Sequence, residues 1–277
     1  DGSRTNLKKN IKIFDKNIKY IHFPSSLYKR LYYSIKLIKT KYVMLGCDDE
    51  FYVSSSLAKC VKFLLLNKDF VSCTGRAISF NFKNNSIIAN NIYPLLKNRK
   101  LIHSDPNKRI EKHFSNYEQG HLYAVSETKI WKIAAKTVFS KEYNFYAAWE
   151  LQFEYLLPFS KKSLVLPNLL WLRSKENEPI RDTSPSMSFS NSFSNWWTKK
   201  RYLKEKKIFI KSMKLACKRL NKITKNKNLP EIEKAFEIIN KDYMSNLHYL
   251  KKDFFYPLYK IVYYTYRYTP YLKKLIQ

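Results

Sequence analysis

Three carboxylates in a row, Asp48-Asp49-Glu50, follow directly on the apolar run Tyr42-Val43-Met44-Leu45-Gly46-Cys47. This junction constrains the fold more than any other stretch. A short apolar run rich in β-formers and ended by acids reads as a central strand of a parallel sheet, buried on both faces. Adjacent carboxylates repel one another, so a cation or hydrogen-bond donors must hold them. In an open α/β sheet, ligands bind beyond the carboxyl ends of the strands. Carboxylate oxygens are also the hard ligands that Mg²⁺ or Mn²⁺ takes alongside substrate phosphates. The same three acids equally suit a solvated turn.

Strand and helix signals alternate around the junction. Residues 18–23 alternate like a strand that Pro24 stops. Ser25 then caps a helix through about Lys39, with Leu27, Leu31, Ile35 and Ile38 on one face. After the acids, Ser54-Ser55-Ser56 opens a helix with Leu57, Val61, Leu64 and Leu65 as its apolar stripe, and residues 70–75 form the next strand. Residues 76–118 read as irregular, with a hairpin around Asn84-Asn85. A strand over 121–125, a helix over 127–138 and a helix over 146–156 ended by Pro158 follow, then a short strand over 164–167. Residues 173–195 are a Ser/Pro/Asn-rich loop. The rhythm predicts an α/β fold with a mostly parallel sheet flanked by helices. It covers residues 1–195, and a basic, aromatic helical tail covers 196–277.

Charge and motifs narrow the chemistry. The net charge is +30, and about half of it lies beyond Lys199, which favours polyanionic surroundings. Cys47, Cys60, Cys73 and Cys217 lack metal-site spacing and read as free thiols. With glycines only at 2, 46, 75 and 120, neither GxGxxG nor GxxxxGK[ST] can occur. No apolar run is long enough to span a membrane. The histidines at 22, 103, 113, 121 and 248 show no i, i+4 pair and read as structural.

What remains is the acidic cluster, two glutamates and one arginine. Glu150 and Glu154 lie one turn apart on a predicted helix, so they share a face. A glutamate set among aromatics such as Tyr146 and Trp149 has its pKa raised and suits a general base. An amphipathic helix with solvated glutamates reads equally well. Arg173 follows a strand, where a guanidinium suits a diphosphate leaving group.

Taken in order, Thr40-Lys41-Tyr42-Val43, Cys47-Asp48-Asp49-Glu50-Phe51, Gly75, Tyr123-Ala124-Val125, Trp149-Glu150 and Leu172-Arg173-Ser174 with Glu176, Asn177 and Pro179 form a set. This set resembles the GT-A glycosyltransferases of the family 2 type, most closely the bacterial members that build surface polysaccharides. The resemblance implies a metal-dependent, inverting transfer of a sugar from a nucleotide-sugar donor to a hydroxyl acceptor, with Mn²⁺ or Mg²⁺ as cofactor. It implies that Asp48, Asp49 and Glu50 hold metal and donor, with Asp49 or Glu50 the metal ligand, and that Glu150 deprotonates the acceptor. Asp1, in Asp1-Gly2-Ser3, matches the family's acid near the nucleobase. The family's first strand and helix should precede Asp1, so the expectation is a chain lacking part of the nucleobase pocket. The third acid is Glu rather than Asp, which changes the expected metal geometry.

The expected partners are a nucleotide-sugar donor, a saccharide or lipid-linked acceptor and an anionic membrane surface. The expected location is cytoplasmic, at the inner face of the membrane. The aromatic, cation-studded segment 254–268 is the expected contact with lipid, and it suits packing onto the catalytic domain equally well. Two other readings stand beside transfer. One is a basic nucleic-acid-binding protein, suggested by charge and aromatics but lacking any recognisable motif. The other is a non-catalytic, glycosyltransferase-like scaffold.

Overall fold

The computed structural model describes residues 6, 17–47, 50–83, 86–175 and 193–241. Helix α1 (Leu27–Ser34) runs into a 3-10 turn (Ile35–Leu37). The strands β1 (Tyr42–Val43) and β2 (Glu50–Tyr52), the helix α2 (Ser54–Leu66) and the hairpin β3 (Phe70–Lys83) and β4 (Ser86–Ile92) come next. β5 (Lys100–Leu101), α3 (Pro106–Phe114), β6 (Val125–Glu127), α4 (Thr128–Val138), α5 (Ala148–Ser160) and β7 (Lys162–Ser174) complete the sheet and its cover. Helices α6 (Phe193–Thr198) and α7 (Leu203–Thr224) and a helix α8 over 232–241 follow.

The fold is α/β, with a seven-stranded open sheet ordered β1-β6-β3-β7-β2; β4 pairs with β3, and β5 with β7. The sheet is mixed rather than mostly parallel. Only β3 and β7 pair in parallel among the pairings of the described residues, and the others are antiparallel. The expected strand–helix–strand units misled because β2 and β3, on either side of α2, are not neighbours. Both flank β7, β2 antiparallel and β3 parallel. The pairing of Lys83 with Ser86 leaves two residues for the turn, a connection that only antiparallel strands accept.

Several boundaries differ from those the sequence suggests. Residues 18–23 form no strand, and Ile18 stays 59 % exposed, so the alternation there has no sheet face to bury. The cap of α1 is Ser26, whose side chain accepts from the Lys29 amide, rather than Ser25. The run at 42–47 pairs only over Tyr42–Val43. Residues 121–124 form a turn ahead of β6. The stretch 76–118 holds the outer half of β3, then β4, β5 and α3, with Asp105 as the α3 cap and Pro106 at its first position.

Pro158, expected to end a helix, does not end it, and the short strand expected over 164–167 runs on past Pro167. α5 runs past Pro158 to Ser160, because the missing amide removes one bond in the last turn alone. The carbonyls of Pro158 and Phe159 accept from the Arg109 guanidinium at 2.7 and 3.0 Å, which replaces water at this buried helix end. β7 passes through Pro167 because the ladder breaks there. Thr74 faces Val165 and Arg76 faces Leu169, so three residues of β7 bulge opposite Gly75. The bulge requires that glycine: a Cβ at Gly75 would lie 2.5 Å from the Asn168 carbonyl oxygen and 2.8 Å from the Leu170 Cβ.

α5 is apolar around nearly its whole circumference, as expected of a helix enclosed on all sides. It packs against the sheet, α3, α4 and α7. Residues 193–241 share that core: Trp197 stacks on Phe236 at 5.3 Å, and Phe236 stacks on Tyr155 of α5 at 6.0 Å. The indole N–H groups of Trp196 and Trp197 donate to Glu205 and Glu237. The first part of the basic helical extension is therefore core, and the segment 254–268 lies outside the described residues. No described helix is long and apolar enough to cross a membrane.

Candidate active site

The β2–β7 ladder sets Glu50 directly opposite Arg173. Their side chains meet, with Arg173 Nε 3.6 Å from Glu50 Oε1. The Tyr52 hydroxyl donates to Glu50 Oε2 at 2.6 Å, and the carboxylate has no exposed surface. Arg173 Nη1 donates to the Tyr93 hydroxyl at 2.7 Å, and the side chain stays 39 % exposed. Tyr93 sits in the left-handed region, φ 55°, which only a tight local fit holds for an aromatic residue. Its ring meets Trp171 edge-on at 5.8 Å, and Tyr123 meets the same indole at 4.5 Å. The Cys47 thiol lies 3.7 Å from the Tyr123 hydroxyl. The result is an arginine held from two sides with one flank open to solvent.

Glu150 occupies the first turn of α5 and is half-buried. Burial pushes its carboxyl up to about 7, the charge of Glu154 one turn below pushes it the same way, and Arg173 pulls it partly back. The helix N-terminus also favours the anion, but desolvation outweighs it. Glu50 and Glu150 both act on Tyr93 and Tyr123, so the two carboxylates and Arg173 share one neighbourhood. A carboxyl that titrates near neutrality beside an open guanidinium can take a proton while the guanidinium holds an anion.

One turn further, Glu154 is fully buried and already engaged. Its Oε1 accepts from the amides of Gly120 and Leu122 at 3.0 and 2.9 Å, which pins the turn before β6. Its Oε2 lies 2.8 Å from His113 Nε2, and His113 Nδ1 lies 2.9 Å from Arg99 Nη1. A guanidinium only donates, so Nδ1 must carry the lone pair and Nε2 the proton. His113 is therefore neutral and donates to Glu154. Burial, then Arg99, hold its pKa well below the usual range. His121 stacks edge-on to His113 at 4.8 Å, and burial brings its pKa down to about 3.

His113, His121 and Glu154 could hold a metal ion, since one ligand atom from each lies within 4.8 Å of the others. The hydrogen bonding opposes it. A metal-binding histidine offers its other N–H to an acceptor, whereas His113 meets a donor there. Metal on Nε2 requires Arg99 to withdraw from Nδ1. The network as built is a clamp between α3, α5 and the turn at 120–122.

No model of a known protein family matches this chain, and no curated protein does. The functional reading therefore stands on the site's own geometry.

Of the residues singled out from the sequence, Glu50, Glu150 and Arg173 come together. Asp1, Asp48, Asp49, Glu176, Asn177 and Pro179 lie outside the described residues. Glu50 was expected as a metal ligand after a strand; it instead opens a strand, and its carboxylate already faces Tyr52 and Arg173. A metal on Oε2 would have to displace the Tyr52 phenol. The roles of Tyr52 and Tyr93 were not apparent in the sequence, although Tyr52 lies at a same-face i+2 spacing from Glu50. The four cysteines are free thiols, with Cys47 part-exposed and the others buried.

Proposed function

We propose that the chain is a sugar transferase that uses a nucleoside-diphosphate donor and a hydroxyl acceptor, with Glu150 as base and Arg173 on the diphosphate. The observation that carries this reading is the Glu150 carboxyl, pushed up to about 7 beside a part-exposed guanidinium. As the acceptor oxygen bonds to the sugar carbon, the bond to the diphosphate oxygen breaks. The acceptor proton passes to a Glu150 oxygen, and the charge appearing on the departing phosphates falls to Arg173. In an inverting transfer the base and the leaving group lie on opposite sides of the sugar, so Glu150 and Arg173 would flank it. A divalent ion would add further neutralisation of the diphosphate; no step here depends on one, since Glu50 Oε2 accepts from Tyr52 and the carboxylate is paired with Arg173. That same enclosure favours a second reading, a non-catalytic relative that binds saccharide without metal.

The test is a thermal-shift screen of uridine, guanosine and cytidine diphosphates with and without Mn²⁺, followed by donor turnover. The proposal expects stabilisation by at least one nucleotide. It further expects Arg173→Ala to abolish the shift, and Glu150→Gln to keep the shift while turnover falls by roughly 10²–10⁴-fold. Full turnover in Glu150→Gln, or no nucleotide shift at all, would overturn it. A nucleotide shift with no turnover in the parent chain favours the scaffold.

A further inference from the structure

Away from this site, α1 and α4 present facing stripes to solvent. On α1 and the 3-10 turn that follows it, Lys29, Tyr32, Tyr33 and Lys36 recur at i, i+3, i+4 and i+7, alongside the buried Tyr28 and Ile35. On α4, Lys132 and Lys136 lie one turn apart. Between them is a recess of about 660 Å³, floored by Ile35 and Phe139 and rimmed by Phe23. No acid lines it. Tyr32 is 49 % exposed, and Tyr33 and Phe23 are each 36 % exposed, which is unusual exposure for a cluster of aromatics. Lys132 also borders a second recess of about 400 Å³ at the start of α4, with Lys41, Lys68, Lys129 and Lys161 around it. The acid there, Glu127, is already held by Lys161 at 2.7 Å. Eight lysines thus border two adjoining recesses.

We propose that this face docks the protein on an anionic lipid surface. Tyrosines and phenylalanine at the rim suit the headgroup level of a bilayer, and the apolar floor suits the boundary just beneath it. The surrounding lysines supply attraction to acidic headgroups. Nucleic acid fits less well. Bases need an open ring face to stack on, and Tyr33 has Lys36 Nζ 4.0 Å above its ring and Phe23 tilted against it at 5.2 Å. Lysine, a point charge rather than a planar fork, also suits a diffuse headgroup layer. The proposal concerns a different face from Glu150 and Arg173 and is independent of the transferase reading.

The test is flotation of the full chain with phosphatidylglycerol vesicles and with phosphatidylcholine vesicles, across a salt series. Binding to the first, little to the second, and release by salt are expected. Each lysine close to an anionic surface contributes about fivefold in partitioning, so Lys29→Ser, Lys36→Ser and Lys136→Ser together should lower binding on the order of 100-fold. Tyr32→Ser with Tyr33→Ser, which leaves every charge in place, should lower it while leaving the salt dependence intact. A control removes the same charge elsewhere: Lys204, Lys211 and Lys218, exposed on α7, changed to serine. The control should bind nearly as the parent does. The melting temperature of each variant confirms that the exposed changes leave the fold in place. The proposal is overturned if the full chain floats with neither vesicle, or if the α1/α4 variant floats like the parent. Equal loss from the control triple overturns it too, as does binding of single-stranded RNA through these lysines in place of vesicles.

Discussion

Glu154→Gln distinguishes a hydrogen-bonded clamp from a metal centre. In the parent chain, Oε1 takes two backbone amides and Oε2 takes the His113 Nε2 proton. A glutamine side chain offers one oxygen and one NH₂. With its oxygen toward Gly120 and Leu122, the NH₂ points at the His113 Nε2 proton, donor against donor. Turned over, it sets the NH₂ against both amides. His113 cannot escape by changing tautomer, because Arg99 donates to Nδ1. Removing one partner of a buried charged contact in this way costs about 3–5 kcal/mol. For a chain of this length that corresponds to a fall in melting temperature on the order of 10 °C. Urea unfolding with an unchanged m-value would assign the loss to stability rather than to a second transition.

The same experiment carries the metal arm. A clamp leaves the parent chain's melting temperature unmoved by a chelator and by added Zn²⁺. A metal centre would raise it with Zn²⁺ and lower it with the chelator, and Glu154→Gln would remove both responses. Parent-like stability of Glu154→Gln would refute the tautomer argument outright, and a Zn²⁺ response lost in that variant would refute the clamp.

Glu150 should make the protein less stable as pH rises. Its native pKa of about 7 lies above the ordinary 4.5, so the folded chain holds a proton there that the unfolded chain gives up. That contribution is full below pH 4.5 and is lost as pH climbs to 7. Glu150→Gln, which cannot ionise, should therefore melt with the parent near pH 4 and above it at pH 8, by about 1–3 kcal/mol once part exposure is discounted. A gap that is flat with pH would sink the raised pKa. Gly75→Ala should cost about 1–3 kcal/mol or more in urea unfolding, because its methyl meets the backbone of the β7 bulge rather than a side chain that can turn aside. A neutral result would mean that the bulge relaxes freely.

The sequence was most legible where periodicity was long and uninterrupted. α4 and the buried half of β3 read directly, since Ile130, Trp131, Ala134, Ala135 and Val138 follow the helical period and Val71 and Cys73 the strand period. Strand direction was not legible. The rhythm of β2, α2 and β3 is the same whether the two strands adjoin or flank a third, and only long-range pairing with β7 decides it. Within 76–118, the alternation of Ile78, Phe80 and Phe82 and the Asp105-Pro106 start of α3 are local signals of β3 and α3 inside a stretch that otherwise lacks periodicity. The clamp could not be read at all. His113, His121 and Glu154 come from α3, a turn and α5, and nothing local links them. Tyr93 was equally hidden, because its left-handed backbone follows from the packing around Trp171 rather than from its neighbours in sequence.

The two glutamates of α5 show how one helix gives the same side chain two fates. Both are raised by burial, and they stand one turn apart. Glu154 has three donors aimed at it and no solvent, so its hydrogen bonds oppose the upward push of burial and hold the turn at 120–122. Glu150 is part-exposed and lies within the pull of Arg173, and its carboxyl is pushed up to about 7. The two positions are coupled, because the charge of Glu154 is one of the forces raising Glu150. The pKa of Glu150 is thus set by the scaffold itself, through burial and through the neighbouring Glu154 one turn below.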